Sequence, residues 1–451
     1  MGTVGLSFGA ATSGQGFDVA STVTQIQASE QAIETPWKNQ LTALQAQDTV
    51  FTSLGTDLST LTTSLQALTD FQGVFAEKQG SSSNTDLLSL TAADSTAVAG
   101  SHTVVINSLA QTSSEVSSAI SNASDTLSGS VTIQGQEFDI DSSDDTLATL
   151  SAAINAADIG VKASVITDSS GSRLSLVSGT SGAAGQLDVT SSLSGASSGA
   201  IAFQVGQTGK DASLTVDGVS VTSSSNTVSN AISGVTFQLL GSSAGTEVQV
   251  EITNDNTAIA TAVNSFVTAY NAVIKDINTQ EGKDSSGNPE PLYGNPTLAM
   301  IQSQLTGSLF AGAASGSINN ITQLGIGMND DGTLTLNADT LNGALNSNFS
   351  DVTGFLQNSG SFAQTMATTL NNLGTQAPNG AVYLAQQQNS AQEAALNTDI
   401  SNEDAVLAAQ KTQLTDELNT ANEILQSIPS QLNEVNEMYS AITGYNTGNG
   451  G

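Results

Sequence analysis

Two adjacent carboxylate pairs, Asp144–Asp145 and Asp330–Asp331, and a single histidine, His102, are the residues whose types could do chemistry. Paired carboxylates can act as acid and base across a glycosidic bond. An imidazole moves protons near neutral pH. Asn329-Asp330-Asp331-Gly332 offers oxygen donors of the kind calcium takes, but its spacing does not fit the EF-hand. Each feature has a simpler structural reading. Asp144–Asp145 stand where a helix starts, which the helix dipole favours. Asp331-Gly332 is a hairpin signal. His102 sits beside a short strand. Arg173 is the sole arginine; it follows Gly171-Ser172 and precedes a strand. Pairing with a nearby acid is its simpler role, and contact with a neighbouring subunit the alternative. No Ser-x-x-Lys, nucleophile elbow, phosphate loop or histidine–metal spacing occurs. The chain therefore reads as a non-enzyme with no cofactor or metal.

Composition narrows the classes further. The chain has 451 residues, with 8 Lys+Arg against 41 Asp+Glu and a formal net charge of -33. It is base-poor rather than acid-rich: charged residues are 11% of it, against about 25% in an ordinary domain. Ser and Thr, about a quarter of the residues, supply much of the polarity. Nucleic-acid binders need clustered bases to replace phosphate counterions, and no such cluster exists. An anionic membrane surface would repel the chain, and no run approaches the ~20 apolar residues of a membrane span. The absence of cysteine excludes disulfide frameworks and thiolate metal sites. The start of the chain has neither the basic nor the apolar region of a secretory signal, although the composition resembles that of an exported protein.

The elements that must position these residues are helical at both ends and β-rich between. Leu44, Phe51, Leu58 and Leu65 recur every seven residues, as do Leu54, Leu61, Leu68 and Phe75. They make a narrow two-row seam of the coiled-coil kind. Thr35 is the expected N-cap where Pro36 opens a new helix. Near the C-terminus, Ile400, Leu407, Leu414, Ala421, Ile428, Val435 and Ile442 form one seven-residue row, and Leu418, Leu425, Leu432 and Tyr439 a second. The stretch from Tyr383 to Ile428 has no Gly or Pro and would span roughly 70 Å as one helix. Pro429 is expected to kink or end it, and Gly444 to Gly451 reads as a flexible tail.

Narrow seams require partners. The spacing predicts that the two arms pack on each other as an antiparallel stem, with outer ends pairing to other chains. Nine acids from Glu393 to Glu437 share the C-terminal arm with Lys411 alone, and the N-terminal arm is also negative. Apolar burial must overcome that repulsion, so the outermost segments are expected to be unfolded in the free subunit.

From Ser81 to Ile252 short apolar/polar alternations without proline predict strands, with a hairpin at Asp217-Gly218 and one helix after Asp144. Asn256 is the expected cap of a following helix, Thr257 to Ile277, and Gly282 to Pro296 a loop. The expected fold class is α+β multidomain: long terminal coiled-coil helices forming a stem, with inserted β-rich head domains. The expected organisation is nested. Residues 1–42 form an N-terminal helical segment, flexible in the free subunit. Residues 43–78 with 253–395 form a helical leg, 79–127 with 206–252 a β-rich head, 128–205 a second inserted head, and 396–451 the C-terminal arm and tail.

Against that background, Gly16 to Glu30 with Pro36 and the seam helix resembles the N-terminal region of the flagellar filament cap family, flagellar hook-associated protein 2. Phe266 to Ile274, Gly294 to Leu305 and Leu324 to Asp339 resemble its C-terminal region. Asp144 to Gly185 resembles the hook IN motif of flagellar axial proteins through Leu147, Ala153-Ile154-Asn155, Gly160-Val161, Ala163, Arg173-Leu174 and Ser178. The Gly/Asn-rich end after Tyr445 departs from the family's helical finish. The resemblance implies export by the flagellar type III path without a cleaved signal peptide, and an extracellular place at the distal filament tip. It further implies a small, about pentameric, homo-oligomeric ring that promotes folding and polymerisation of flagellin. The implied partners are flagellin, hook–filament junction proteins and an export chaperone. The stem and self-association seam then comprises Leu44, Phe51, Leu54, Leu58, Leu61, Leu65, Ile400, Leu407, Leu414, Leu418, Leu425, Ile428 and Leu432. Another axial protein (a junction protein or flagellin) and a surface adhesin are the alternatives, with the Tyr270-Asn271 helix and the Gly294 segment favouring the cap.

Overall fold

The computed structural model describes residues 15–141 and 145–444. Asp144, the first fourteen residues and the Gly/Asn-rich end lie outside that description. The chain divides into two compact units, Met1–Gln66 with Val263–Gly451 and Ala67–Ala262.

The helices are α1 (Val19–Glu30), α2 (Thr35–Thr69), α3 (Leu147–Ala156), α4 (Asn256–Gln280), α5 (Pro296–Leu309), α6 (Ala338–Gln357), α7 (Phe362–Leu373) and α8 (Ala381–Thr443). A 3-10 turn, Gln31–Ile33, separates α1 from α2, and Pro36 lies in the first turn of α2, where its missing N–H costs no hydrogen bond. One expected start is corrected. α4 is capped by Asp255 rather than Asn256: its Oδ1 accepts the N–H groups of Thr257 and Ala258 at 3.0 and 2.9 Å. An N-cap side chain must reach two or three residues on, and Asn256 is already helical. The sequence did not name the cap of α3, which is a Thr146–Thr149 box. α8 continues through Pro429 instead of ending there. Proline's fixed φ is itself a helical value, so the loss is one hydrogen bond and a local clash, about 3 kcal/mol, spread along a 63-residue helix.

The unit Ala67–Ala262 holds two cores. A five-stranded antiparallel sheet runs Lys78–Ser82, Glu247–Asn254, Gly100–Ser108, Ala212–Val216, Val219–Ser223 in spatial order. A three-stranded sheet, Thr227–Ile232, Val235–Leu239 and Leu88–Ala93, contributes Val235, Phe237 and Leu88 to the same core, where they join Val104, Ile106, Leu214, Val248 and Val250. The Asp217-Gly218 hairpin forms as the sequence predicts, with φ values of 49° and 82° at its two central residues. The second core joins α3 to the sheet Phe203–Gln207, Thr112–Ser117, Gly171–Ser181, Val161–Asp168. Leu150 and Ile154 of α3 meet Val161, Leu174 and Leu176 there. Ile120 and Leu127 also pack in this second core, although the expected boundary at residue 127 assigned them to the first.

In the other unit, Phe362 stacks on Phe355 at 5.5 Å and meets the edge of Phe266 at 6.1 Å. α4 is the one helix among the described residues long and apolar enough to cross a membrane, contrary to the expectation that no run approached that length. Ile259, Phe266, Tyr270, Val273, Ile274 and Ile277 on it are buried within the protein.

One device recurs three times. The side-chain amide of Asn155 donates to the Ala163 carbonyl and accepts its N–H, at 2.8 and 2.9 Å. Asn226 does the same with Ala110, and Asn271 with Leu334, at 2.7 and 2.6 Å. Each asparagine stands in for a missing strand neighbour, satisfying a peptide group that would otherwise go unpaired. Asn271 ties α4 to the Ile326–Met328/Leu334–Leu336 hairpin. Asn271→Asp keeps the acceptor and loses the donor. It should lower stability by about 1–3 kcal/mol, measured by denaturant unfolding followed by helical signal, and an unchanged midpoint would count against the clamp.

Candidate assembly interface

The residues suspected of chemistry resolve into structural roles. His102 Nδ1 lies 2.7 Å from Asp217 Oδ2, and Asp217 Oδ1 accepts the Thr103 N–H at 2.8 Å. These bonds, the histidine's first, hold the Asp217 carboxyl below the usual carboxylate range. Asp331 accepts the hydroxyl and N–H of Thr333 within its hairpin and is likewise held low. The Asp145 carbonyl accepts the Leu127 N–H at 2.7 Å. Arg173 pairs with Asp168 at 3.8 Å across a hairpin and donates to the Ser117 carbonyl at 3.4 Å, which is the simpler of its two expected roles. Among the described residues no group of three or more His, Cys, Asp or Glu side chains is placed to hold a metal.

The heptad seam is where the structure concentrates unusual geometry. Leu44, Phe51, Leu54, Leu58, Leu61 and Leu65 of α2 are all buried inside the chain. The start of α8 runs antiparallel beside them. Asn389 Nδ2 donates to Asp48 Oδ1 at 3.0 Å, and Gln386 Nε2 to Thr52 Oγ1 at 3.1 Å. Gly55 makes room for the connection that enters α8: a Cβ there would lie 2.5 Å from the Thr375 methyl. The α2 half of the seam is thus occupied from within.

The α8 half is graded. Leu407 is buried, and Ile400, Leu414, Leu418, Leu425 and Ile428 are half-buried. Leu432 is 41% exposed, Tyr439 53%, Val435 56% and Ile442 82%. Ile424 and Met438, which fall off the strict seven-residue rows, widen the open stripe. Periodicity identified the rows but carried no information on which end would be left uncovered.

A second feature escaped sequence reasoning because its members are 219 residues apart. Asp57 of α2 faces Asp276 of α4 and hydrogen-bonds it, and Ser53 Oγ lies 3.5 Å from Asp276 Oδ2. Burial, then the bond to Asp276 and its negative charge, push the Asp57 carboxyl up to about 6. Two like carboxyls this close must share a proton or repel.

Comparison with known proteins identifies the family. The family described as flagellar hook-associated protein 2 C-terminus matches residues 209–436, and flagellar hook-associated protein 2 N-terminus matches residues 15–113. B-type flagellar hook-associated protein 2 of Pseudomonas aeruginosa strain PAO1 is 32% identical over 355 residues, covering 70% of this chain and 74% of that one. Flagellar hook-associated protein 2 of Escherichia coli K12 is 30% identical over 372 residues, covering 75% and 78%. The crystal structure of the flagellar cap protein FliD D1-D2-D3 domains from Escherichia coli superposes with a TM-score of 0.54 at 26% identity, covering 76% of this chain and 99% of that one. The class is therefore a structural protein of the bacterial flagellum, not an enzyme family. The chain belongs to the flagellar hook-associated protein 2 family, the flagellar filament caps.

The Asp57–Asp276 pair generates a pH prediction. The folded pKa of Asp57 is raised above its unfolded value of about 3.9. Its contribution is fully present below about pH 4 and is lost as pH rises through about 6. Thermal melts of the full chain should show stability falling across that window, and Asp57→Asn should flatten the fall and raise the midpoint at about pH 7.5. An equally steep profile in Asp57→Asn would sink this assignment.

Proposed function

We propose that this chain works at the distal tip of the flagellar filament as a small homo-oligomeric ring, of about five subunits, where it promotes the folding and addition of exported flagellin. It reaches that place through the flagellar export path. Hook–filament junction proteins and an export chaperone are its further partners. Residues 43–78 with 253–395 act as the leg, the β-rich segments as heads, and residues 396–451 as the arm.

The observation that carries this reading is the open end of α8. Large apolar side chains rarely stand exposed in a contiguous stripe unless a partner covers them. Here the stripe continues a heptad whose other half is filled, and it sits in a chain of the cap family. Its flanks carry Glu423, Glu434 and Glu437 without a base, so pairing between copies rests on apolar burial and opposes like charge. Such contacts are held only moderately, as suits a cap that must release and re-engage whenever a subunit is added. Leu425, Ile428 and Leu432 are the self-association residues on this reading.

Deletion of the gene should leave cells without filaments and with flagellin unpolymerised in the medium; intact filaments would end the cap reading. The triple change Leu432→Ser, Val435→Ser, Tyr439→Ser removes exposed side chains and leaves the core untouched. It should weaken self-association by about thirtyfold or more, the effect of losing ~2 kcal/mol of interface. Mass measurement across a concentration series reads this, and unchanged assembly would remove the seam from the interface.

A further inference from the structure

α1 lies antiparallel on the middle of α8, over the part of the seam just before it opens. The Phe17 N–H donates to Asn422 Oδ1 at 2.9 Å, and Gln27 Nε2 donates to the Leu407 carbonyl at 2.8 Å. Beneath α1, Leu407 is buried and Leu414 and Leu418 are half-buried. Beyond Asn422, Leu425 and Ile428 stay half-buried, and the rows are open from Leu432 on. Yet α1 has little to hold it. Its 12 residues bury only Thr22 and Val23, and a free helix of that length is marginal in water.

What fixes it is at its far end. Glu34, in the turn leading into α2, has a side chain only 1% exposed, paired to Lys38 Nζ at 2.6 Å. Glu34 Oε1 has no hydrogen-bond partner among the described residues. Lys38 is the only base before Lys78, so no other cation of the N-terminal arm can compensate Glu34. Without it Glu34 would be a buried charge with no counter-ion, a strongly unfavourable state.

We propose that α1 is a releasable strap over the proximal α8 seam, latched by the buried Glu34–Lys38 pair at the turn into α2. Its release extends the open stripe from Leu432–Ile442 back to Leu407. The strap is an autoinhibitory contact: while it is shut, a second copy finds only the distal part of the seam.

Hydrogen exchange on the full-length chain tests the latch, and none of the readouts depends on filament growth. Lys38→Gln should speed amide exchange in α1 at least tenfold and leave α4 to α7 unchanged. Lys38→Gln/Glu34→Gln, which removes the stranded charge, should restore slow exchange. The chain has no cysteine, and a Cβ at Gly16 would press against the Asn422 side chain, so Gly16→Cys/Asn422→Cys can close the strap covalently. In the Lys38→Gln background the oxidised form should regain protection in α1 and self-associate at least tenfold more weakly than the reduced form. Unchanged α1 exchange in Lys38→Gln, or equal acceleration in α1 and α4 to α7, would overturn the latch. Equal assembly of the oxidised and reduced forms would overturn the strap.

Discussion

Apolar burial has to hold the helical unit together against its own charge. Nine acids and one lysine lie along α8, so ion pairs between arms cannot supply the cohesion. The α2 row from Leu44 to Leu65 does so by being buried on all sides within the chain. Beside that row the Thr375 methyl approaches Gly55, and Asn389 and Gln386 of α8 hydrogen-bond to Asp48 and Thr52. Where α2 ends as a partner, α1 lies on α8 as far as Asn422, and from Leu432 on the apolar row faces water.

The same shortage of bases shapes how polar groups are satisfied. Among the described residues the ion pairs are Lys38–Glu34 and Arg173–Asp168, and His102 hydrogen-bonds to Asp217. Carboxylates instead take N–H and hydroxyl groups from Ser, Thr and Asn, in local turns or, at Asp351, from a segment 34 residues away. Thr96 serves Asp94, Asn288 serves Asp284, and Ser317 serves Asp351; these bonds hold all three below the usual carboxylate range. Asparagine side chains complete three backbone pairings. Hydroxyls and amides thus do locally what salt bridges do in base-rich proteins, and the uncompensated negative charge stays in water.

The strongly periodic and turn-bound parts of the fold were legible in sequence. The α2 and α8 rows, the α4 face and the hairpins at Asp217-Gly218 and Asp331-Gly332 all appear, because a helical or two-residue period and a required positive φ are written locally. Caps were misplaced by one residue at α4, and Pro429 did not end α8, because a cap depends on which oxygen reaches the N–H and a proline's effect depends on the turns around it. The Asp57–Asp276 pair had no sequence signal, because its members meet only when α2 and α4 pack. Glu34 and Lys38 stand at i,i+4 spacing, but the burial of Glu34 is not written in that spacing.

By itself, then, the sequence determined the class of protein: base-poor, cysteine-free, helical at its ends with narrow heptad seams and β-rich between, in the pattern of the cap family. A heptad is symmetrical in its demand, since every apolar position asks equally for a partner. Only the tertiary structure decided which positions found one. Leu44 to Leu65 are covered by the chain itself, Leu407 to Leu418 lie under a thin helix, and Leu432 to Ile442 face water. The physical reason is that partnership depends on where distant segments come to rest. α1 and α2 have reached Asn422 by Phe17, and the last third of α8 runs on past them.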